Sequence, residues 1–414
     1  MLGFPGEFLA GVAVLRVHAL AAAVVLYGFL SWPAPPEVRV VEVTIAALLA
    51  ATAGVARPWA VVSGQVLHRP DTRPWETVAA LALAALLWPP LARGLALGAA
   101  PADVLRDVVP LFYLFLPVLL VPVLRRAGPR AVTALAAALA LAGVLFALRW
   151  WRQVDWGFGA VGTRAMTDGA RYFLNAPSVL FAGIALPAAA LGLAARGGVW
   201  RWGLAMLLLV PAALCLGALA GAVHRMALGL AVLAFAAMGA WWLRRRPWLV
   251  LGCAGMAAVL LLPLPDGSLS GAVHLVAEKS RLTGANARVE EAMAVLEQVG
   301  GSPLSLLIGD GWGALIANPA VGGWRVSYTH TLLSYALMKA GLLGFAALLA
   351  YLMGLVPAAL ALLRGNPLLA WAVLPPLAMA LGLHTSFKYL DCGLLLTLLV
   401  LAADMGEGKP SDTG

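Results

Sequence analysis

The sequence predicts an all-α, polytopic membrane protein with about twelve transmembrane helices. Of its 414 residues, 62% are hydrophobic and 11% are charged, and the mean hydropathy is +0.92. This composition leaves too little polar surface for a water-soluble fold. Apolar stretches of spanning length recur along the whole chain, and each should be helical because hydrocarbon cannot satisfy backbone hydrogen bonds. Residues 1–414 are therefore expected to form a single transmembrane domain.

Twelve apolar runs give the expected spans in chain order. They lie near residues 9–30, 40–56, 76–92, 108–124, 131–149, 173–195, 203–219, 226–243, 248–264, 331–357, 367–383 and 391–404. The N-terminal sequence MLGFPGEFLA lacks the charged flank and the small-residue cleavage site of a signal peptide. The first run is therefore expected to be retained as a span.

Charge in the connecting loops predicts the orientation of the spans. If the N-terminus is cytoplasmic, every even-numbered loop faces the cytoplasm, as the positive-inside tendency requires. These loops carry Arg57, Arg69, Arg73, Arg125, Arg126, Arg130, Arg196, Arg201, Arg244, Arg245, Arg246 and Arg364. The longest connection, residues 265–329 between spans 9 and 10, then lies on the outer, extracytoplasmic face.

The charge balance and the cysteines exclude several kinds of partner and site. The net charge of +9 is spread over short loops and forms no soluble basic face, so nucleic acid is not expected. An anionic lipid or an anionic substrate is the better interpretation. Cys215, Cys253 and Cys392 lie in or beside apolar runs without CxxC spacing, so neither disulfides nor a cysteine metal site is expected.

Two features of the outer side indicate function. Arg225 lies in the tight AGAVHR turn, although insertion disfavours arginine outside; long loops translocate regardless of charge, but this turn is short. The segment NARVEEAMAVLEQVGG predicts an amphipathic helix that lies on the membrane surface or over the helical bundle. Its apolar residues at helical spacing are Val289, Ala292, Met293, Leu296 and Val299.

The segment IGDGWGALIANPAVGGWRVSYTHTLLSYALMKAGLLGF places a glycine-rich loop before a histidine at the head of a span. Together with the preceding helix, this pattern resembles the O-antigen ligase and O-antigen polymerase superfamily. That family has an arginine on a loop helix, a GxG stretch, a histidine at the start of a helix and a GLLG helical turn. Here these elements are Arg288, Gly309–Gly313, His330 and Gly341–Gly344, in the same order.

Two further segments are similar to the same family. AGAVHRMALGLAVL matches a small-residue turn with an arginine at the mouth of a span, with Arg225 in the arginine position. His224 stands where the family usually has serine, which leaves open whether the histidine supplies a replacement hydrogen bond. RYFLNAPSVLFAGIALP, which begins at Arg171, is a weaker match to the opening of a middle span. The resemblance covers approximately residues 160–355.

The resemblance implies a GT-C-like fold and a membrane glycosyltransferase of the bacterial inner membrane, with its active site facing the periplasm. Such enzymes transfer a glycan from an undecaprenyl-diphosphate carrier to an acceptor hydroxyl, so the partners are the lipid-linked donor, a glycan or lipid-core acceptor and membrane lipids. Arg225 and Arg288 would bind the diphosphate, and His330 would take the proton of the acceptor hydroxyl. No metal and no cofactor is expected, and direct displacement implies inversion at the anomeric carbon.

Each of these roles has a structural alternative. His330 suits a helix cap, Arg225 suits an interfacial arginine that extends to the lipid head groups, and Arg288 suits a solvated charge paired with Glu290 or Glu291. Further candidates for substrate contact are Arg164, Arg171, Tyr172, His224 and Lys388. Lys339 is costly inside a span, so we expect it to face a polar cavity.

Other functions stay open at this point. A lipid-linked oligosaccharide flippase or transporter would also have about twelve spans, but should show two related halves and charges within several spans. A peptidoglycan elongase is a third, weaker option, since the long loop falls late in the chain and lacks the expected aspartate. Within the preferred family, the motifs do not separate a ligase from a polymerase.

Overall fold

The structure is a computed structural model that describes residues 5–407 apart from 36, 71, 155–168, 249, 253 and 256–285. At 5–10, 169–171 and 286–287 it describes the backbone alone. The described chain is almost entirely helical, with one short antiparallel strand pair. This confirms the all-α class expected from the apolar composition.

Fifteen α-helices of the described part are labelled in chain order; further helical residues lie between 247 and 255. Those up to residue 243 are α1 (Pro5–Leu30), α2 (Val40–Ala53), α3 (Ala56–Val62), α4 (Pro74–Ala96), α5 (Pro101–Leu114), α6 (Leu116–Leu124), α7 (Pro129–Gln153), α8 (Pro177–Ala194), α9 (Val199–Gly221) and α10 (Arg225–Leu243). The later ones are α11 (Asn286–Gly300), α12 (Pro303–Ile308), α13 (Leu332–Gly365), α14 (Pro367–Ala378) and α15 (Leu390–Glu407).

Shorter elements connect the helices. Strand β1 (Ile316–Asn318) pairs with strand β2 (Trp324–Val326) in the loop before α13. The remaining short turns are 3₁₀ or π helices at Gln65–His68, Arg125–Ala127, Gly169–Asn175, Pro319–Val321, Met379–Leu383 and Thr385–Lys388. Proline stands in the first turn of α4, α5, α7, α8 and α14, where its missing N–H leaves no helical hydrogen bond unmade.

The described residues contain fewer candidate membrane spans than the twelve expected from the sequence. Among the described residues, seven helices are long and apolar enough to cross a membrane, or nine if each of two bent pairs is one span. The expected span 40–56 corresponds to α2 alone; α3 follows it at an angle of 86° beyond Gly54, and α5 and α6 meet at 41°. Most of the expected span 248–264 lies outside the described residues, and the count of twelve is not confirmed.

A cluster of ion pairs joins the helix ends at one end of the bundle. Arg57 on α3 donates to Glu76 on α4 at 2.7 Å, and Glu76 is only 3% exposed. Arg125, just after α6, contacts Asp404 on α15 at 2.9 Å, and Arg73 contacts the same carboxylate. The three arginines belong to loops that the charge pattern assigns to the cytoplasm. The opposite end of α4 therefore points away from that side.

That opposite end carries the described part of the long loop. The backbone N–H of Trp312 donates to Pro90 O on α4 at 3.0 Å, and Trp312 is 1% exposed. A Cβ at Gly94 would lie 2.2 Å from Trp312 O. The loop therefore lies directly on the backbone of α4, and glycine at position 94 permits the contact.

Helix α13 is broken where this loop meets it. Its 34 residues would extend about 50 Å, which is longer than the hydrocarbon core. At Gly341 the backbone leaves the helical region with φ 62° and ψ −160°. The carbonyls of Met338 and Lys339, which lose helical partners at this break, accept the N–H groups of Asp310 and Gly311 at 3.0 Å each. The loop therefore replaces the hydrogen bonds that the break removes.

The glycines of both sequence motifs lie at this break. A Cβ at Gly309 would come within 2.4 Å of Ala340 N, and a Cβ at Gly341 would come within 2.5 Å of Gly309 N. A Cβ at Gly311 would overlap the backbone of Gly94 on α4. The glycine-rich loop and the GLLG turn are thus two sides of one close backbone contact.

A matched pair of glycine substitutions tests this packing. Gly94→Ala should destabilise the protein by about 1–3 kcal/mol, because the new methyl group overlaps Trp312 O. Gly239→Ala on α10 meets no atom within 4 Å and should be neutral or stabilising by up to about 1 kcal/mol, since alanine favours helix. Thermal unfolding in detergent measures both. Equal shifts for the two variants would contradict the close contact.

Candidate functional site

A glutamate and a histidine form the centre of the candidate site. Glu291 on α11 accepts the backbone N–H of His330 at 3.0 Å with each of its oxygens. The imidazole Nδ1 of His330 lies 3.2 Å from Glu291 Oε2. Because an ionised carboxylate only accepts hydrogen bonds, Nδ1 carries the proton. In the neutral form of the imidazole Nε2 is then the nitrogen with a free lone pair, and His330, at 26% exposure, is accessible to a ligand.

The carboxylate of Glu291 is itself held in place. Its side chain is 1% exposed, and Asn318 at the end of β1 donates its amide to Oε1. Asn318 also donates to Tyr328 O at 3.2 Å and accepts the N–H of Ala320 at 2.9 Å. Burial alone raises the pKa of Glu291, but the hydrogen bonds from His330 and Asn318 lower it below its usual value. Glu291 is therefore ionised at neutral pH.

Arg288 lies one turn before Glu291 on the same side of α11. It is partly exposed and forms no ion pair with any described residue. The expected alternative, in which Arg288 pairs with Glu291, is not found because that carboxylate engages His330. The guanidinium group is therefore available to an anion beside the histidine.

The turn before α10 has a strained backbone. Val223 is the one non-glycine residue in the described chain with a positive φ, at 53°. The N–H of Val223 donates to Ala220 O at 3.0 Å and that of His224 to Leu219 O at 2.9 Å, which is the Schellman arrangement normally completed by glycine. A β-branched residue is disfavoured there, and such strain is concentrated at functional sites. The turn fixes His224 and the adjacent Arg225, at the start of α10.

The connection between α14 and α15 links these groups. The rings of His384 and His224 have centroids 5.8 Å apart. Burial lowers the pKa of His384 to about 3, and repulsion by His224, His330 and Arg288 adds to the shift. His384 is therefore neutral at physiological pH. The electrostatic contacts show that three residues predicted from the sequence, His224, His330 and Arg288, surround this connection.

Lys388 lies further along the same connection. Its Nζ is 4.1 Å from the ring centroid of Tyr335 and donates to Ser327 O at 3.4 Å. Burial lowers the pKa of Lys388 to about 7; nearby Asp107 raises it, whereas Lys339 and Arg106 lower it further. The hydrogen bond to Ser327 places Lys388 against the segment that leads into His330.

The structure describes the remaining predicted substrate-contact residues to different extents. Tyr172 is 45% exposed and interacts electrostatically with Tyr389, at the end of the same connection. Arg164 lies outside the described residues, and Arg171 is described by its backbone alone. Residues 265–285 of the predicted outer loop also lie outside the described residues.

The expectation that Lys339 faces a polar cavity is wrong. Its side chain is fully buried and its Nζ donates to Asp107 on α5 at 2.5 Å and to Ala314 O at 2.5 Å. The same oxygen of the aspartate also binds the loop, because Asp107 Oδ2 accepts the N–H of Gly313 at 2.9 Å. The ion pair therefore anchors the glycine-rich loop.

The outward face of α11 also differs from a simple amphipathic helix. Val289, Met293 and Leu296 are 66%, 60% and 48% exposed, whereas the buried face is formed by Glu291, Val295 and Val299. Glu291 is the main residue of the candidate site that the sequence interpretation missed. Its spacing of four from Val295 and eight from Val299 was the available signal, because these positions share one helix face.

The arrangement offers an imidazole oriented by a carboxylate, with an arginine one helical turn away. A carboxylate in this position fixes the tautomer and stabilises the imidazolium that forms when the histidine accepts a proton. The chain matches no family model, and no curated protein matches it either.

Proposed function

We propose that the chain is a metal-independent membrane glycosyltransferase of the O-antigen ligase or polymerase type. It moves a glycan from an undecaprenyl-diphosphate carrier to an acceptor hydroxyl at the outer face of a bacterial inner membrane. The acceptor is a lipid core in the ligase form of the proposal and a carrier-linked repeat unit in the polymerase form.

The observation that carries this proposal is the Glu291–His330 pair beside Arg288. His330 Nδ1 lies 3.2 Å from a carboxylate that is 1% exposed, so Nε2 is the available base. Arg288 lies one helical turn from that carboxylate, where a guanidinium group can bind phosphate oxygens in a bidentate way. A base and a cation at this spacing suit a hydroxyl nucleophile and an anionic leaving group.

The reaction then follows in one displacement. The acceptor oxygen bonds to the anomeric carbon while the bond from that carbon to the diphosphate oxygen breaks. The hydroxyl proton passes to His330 Nε2, and the electron pair of the broken bond leaves with undecaprenyl diphosphate. Arg288 and Arg225 stabilise the charge that grows on the diphosphate. Attack from the face opposite the leaving group inverts the anomeric configuration.

A transporter or flippase is the competing proposal, and one observation weakens it. The buried charges of Lys339 and Asp107 are satisfied by each other and by loop backbone atoms. Ionisable groups along a transport path are expected to face a polar cavity. These two charges instead hold the loop in place.

Purified protein in detergent with a metal chelator tests the proposal. Wild-type protein should form a glycosylated acceptor and release undecaprenyl diphosphate. Arg288→Ala and Arg225→Ala should each lower the transfer rate by about 10²-fold, because each removes a donor to the developing charge. Arg325→Ala is the matched control, since Arg325 is an exposed loop arginine on β2 and should leave the rate unchanged.

Two outcomes would contradict the proposal. One is a wild-type protein that forms no product but moves the lipid-linked glycan across a liposome membrane, which would favour the flippase. The other is an equal effect of Arg288→Ala and Arg325→Ala, which would remove the specific role of the arginine on α11. A product with retained anomeric configuration would contradict the single-displacement step but not the glycosyltransferase proposal.

A further inference from the structure

Lys388 lacks an ion-pair partner in the part of the chain that the structure describes. Its side chain is only partly exposed, and it donates a hydrogen bond to the carbonyl oxygen of Ser327 at 3.4 Å. No carboxylate in the described chain lies within ion-pair distance of it. A partly buried ammonium group without an anion is unfavourable unless a ligand supplies the missing charge.

The carboxylate that acts most strongly on Lys388 is paired with a different lysine. Asp107 contacts Lys388 only through a longer-range electrostatic interaction. Its Oδ2 accepts from Lys339 Nζ at 2.5 Å and from the N–H of Gly313 at 2.9 Å, and both partners are fixed parts of the loop anchor. One aspartate therefore faces two lysines, and the surroundings of Lys388 retain an excess of positive charge.

Aromatic rings hold the ammonium group in position. Lys388 Nζ lies 4.1 Å from the ring centroid of Tyr335, 5.8 Å from that of Tyr328 and 6.0 Å from that of Phe387. Cation–π attraction fixes a cation but supplies less than the charge of an anion. The rings orient Lys388 without neutralising it.

The same rings lead to the candidate base. Tyr328 packs edge-on against His330 with ring centroids 6.2 Å apart. Lys388 therefore shares one aromatic neighbour with the proposed base, although it lies on a different segment from Arg288 and Arg225. An anion bound by Lys388 would reach the same site from the side of the connection between α14 and α15.

We propose that Lys388 is a phosphate-binding residue, whose caged ammonium group receives one phosphate of the lipid diphosphate. This rests on the proposed function, which supplies the diphosphate as the anion. The phosphate supplies the negative charge that pairs with the Lys388 ammonium group. Lys388 is then a third cation for the diphosphate, beside the two arginines.

The protonation of Lys388 makes this binding dependent on pH. The charged and titratable groups near it are Arg106 and Asp107 on α5, Tyr335 and Lys339 on α13, and Tyr328 in the preceding loop. Helix α15 also packs against the turn that carries Lys388, and its Asp391 accepts the N–H of Ser178. Among these groups, Asp107 favours the ammonium form and the two cations disfavour it. With a pKa of about 7 in the free protein, Lys388 loses its charge as the pH rises through neutrality. Phosphate affinity should therefore fall over that range.

Binding of farnesyl diphosphate and of inorganic diphosphate to the purified full chain tests the proposal without any glycan transfer. Lys388→Met should weaken farnesyl diphosphate binding by about tenfold or more, as expected for loss of a charge-assisted contact. Arg106→Met is the matched control, because Arg106 is a nearby cation already paired with Asp103 at 2.7 Å. It should change the affinity little.

A second variant separates phosphate binding from a structural role. Lys388→Arg should retain binding but lose its extra decline between about pH 6 and about pH 8, since arginine stays charged. The pH dependence that remains in Lys388→Arg then measures the titration of the diphosphate ligand itself. Lys388→Met should leave the melting temperature unchanged or higher, because it removes an uncompensated charge.

The outcomes distinguish the sources of the anion and can overturn the proposal. If Lys388→Met weakens binding of both ligands, Lys388 recognises the phosphate alone. If it weakens binding of farnesyl diphosphate only, Lys388 recognises the lipid-linked diphosphate. Unchanged affinity for both ligands, or a lower melting temperature with unchanged affinity, would overturn it. Failure of glycan transfer with intact, Lys388-dependent diphosphate binding would count against the proposed function only.

Discussion

Replacing His330 with alanine should lower the rate of glycan transfer by about 10³-fold, which is typical for removal of a general base. Replacing Glu291 with glutamine should lower it by about 10²-fold, because the neutral amide neither fixes the Nδ1–H tautomer nor stabilises the imidazolium. Both residues act through one imidazole. The double variant should therefore be about as slow as His330→Ala alone.

The chain contains a matched control for the carboxylate. Glu290 is adjacent to Glu291 on α11 but is exposed, so Glu290→Gln removes the same charge without touching His330. Its transfer rate should equal that of the wild type. Steady-state kinetics should place the loss in Glu291→Gln mainly in kcat, since the substrate contacts remain. Additive losses in the double variant would show that the two residues act independently.

Asp107→Ala should destabilise the folded protein by about 3–5 kcal/mol, because it leaves the Lys339 ammonium group buried without a counter-charge. Lys339 and Asp107 are both fully buried, and their atoms approach to 2.5 Å. The same substitution removes the acceptor of the Gly313 N–H, which holds the loop. Thermal unfolding in detergent, followed by circular dichroism, measures the loss.

Two further variants identify the cause. Asp107→Asn with Lys339→Met removes both charges and should recover a large part of the stability, since no buried charge is left unpaired. Asp103→Ala breaks the exposed pair with Arg106, which lies about one turn away on the same helix. It should change stability by less than about 1 kcal/mol. A double variant as unstable as Asp107→Ala would assign the loss to the loop contacts instead of the charge.

The helices were predictable from the sequence because apolar length is a local property. Expected spans such as 9–30, 131–149 and 226–243 coincide closely with α1, α7 and α10. The bends at Gly54 and between α5 and α6 were not predictable, since they depend on how neighbouring helices pack. Hydropathy measures whether a segment can cross a membrane and contains no information on the angle between segments.

The candidate site was partly predictable. His330, Arg288 and His224 were identified from their motifs, and the structure brings them around one connection. The role of Glu291 was missed because its partner His330 is 39 residues away, and only the folded loop brings the two together. The apolar stripe of α11 was the stronger local pattern, yet most of it faces away from the protein. In a membrane protein lipid replaces the core as the environment of apolar residues, so an apolar face does not indicate burial.

Lys339 illustrates a different limit. A lysine within an apolar run indicates an unusual environment, but the sequence does not reveal whether a cavity or a counter-ion supplies it. The answer required Asp107, which is 232 residues away in the chain.

The contact between the glycine-rich loop and the break in α13 is made by main-chain atoms, through the carbonyls of Met338 and Lys339 and the N–H groups of Asp310 and Gly311. Main-chain bonds of this kind survive exchange of the neighbouring side chains, whereas any side chain at Gly309 or Gly341 enters occupied space. The contact should therefore tolerate substitutions of the neighbouring residues, whereas substitution of either glycine should disrupt it. The surrounding side chains can therefore change while these main-chain bonds keep the loop at the same position on α13.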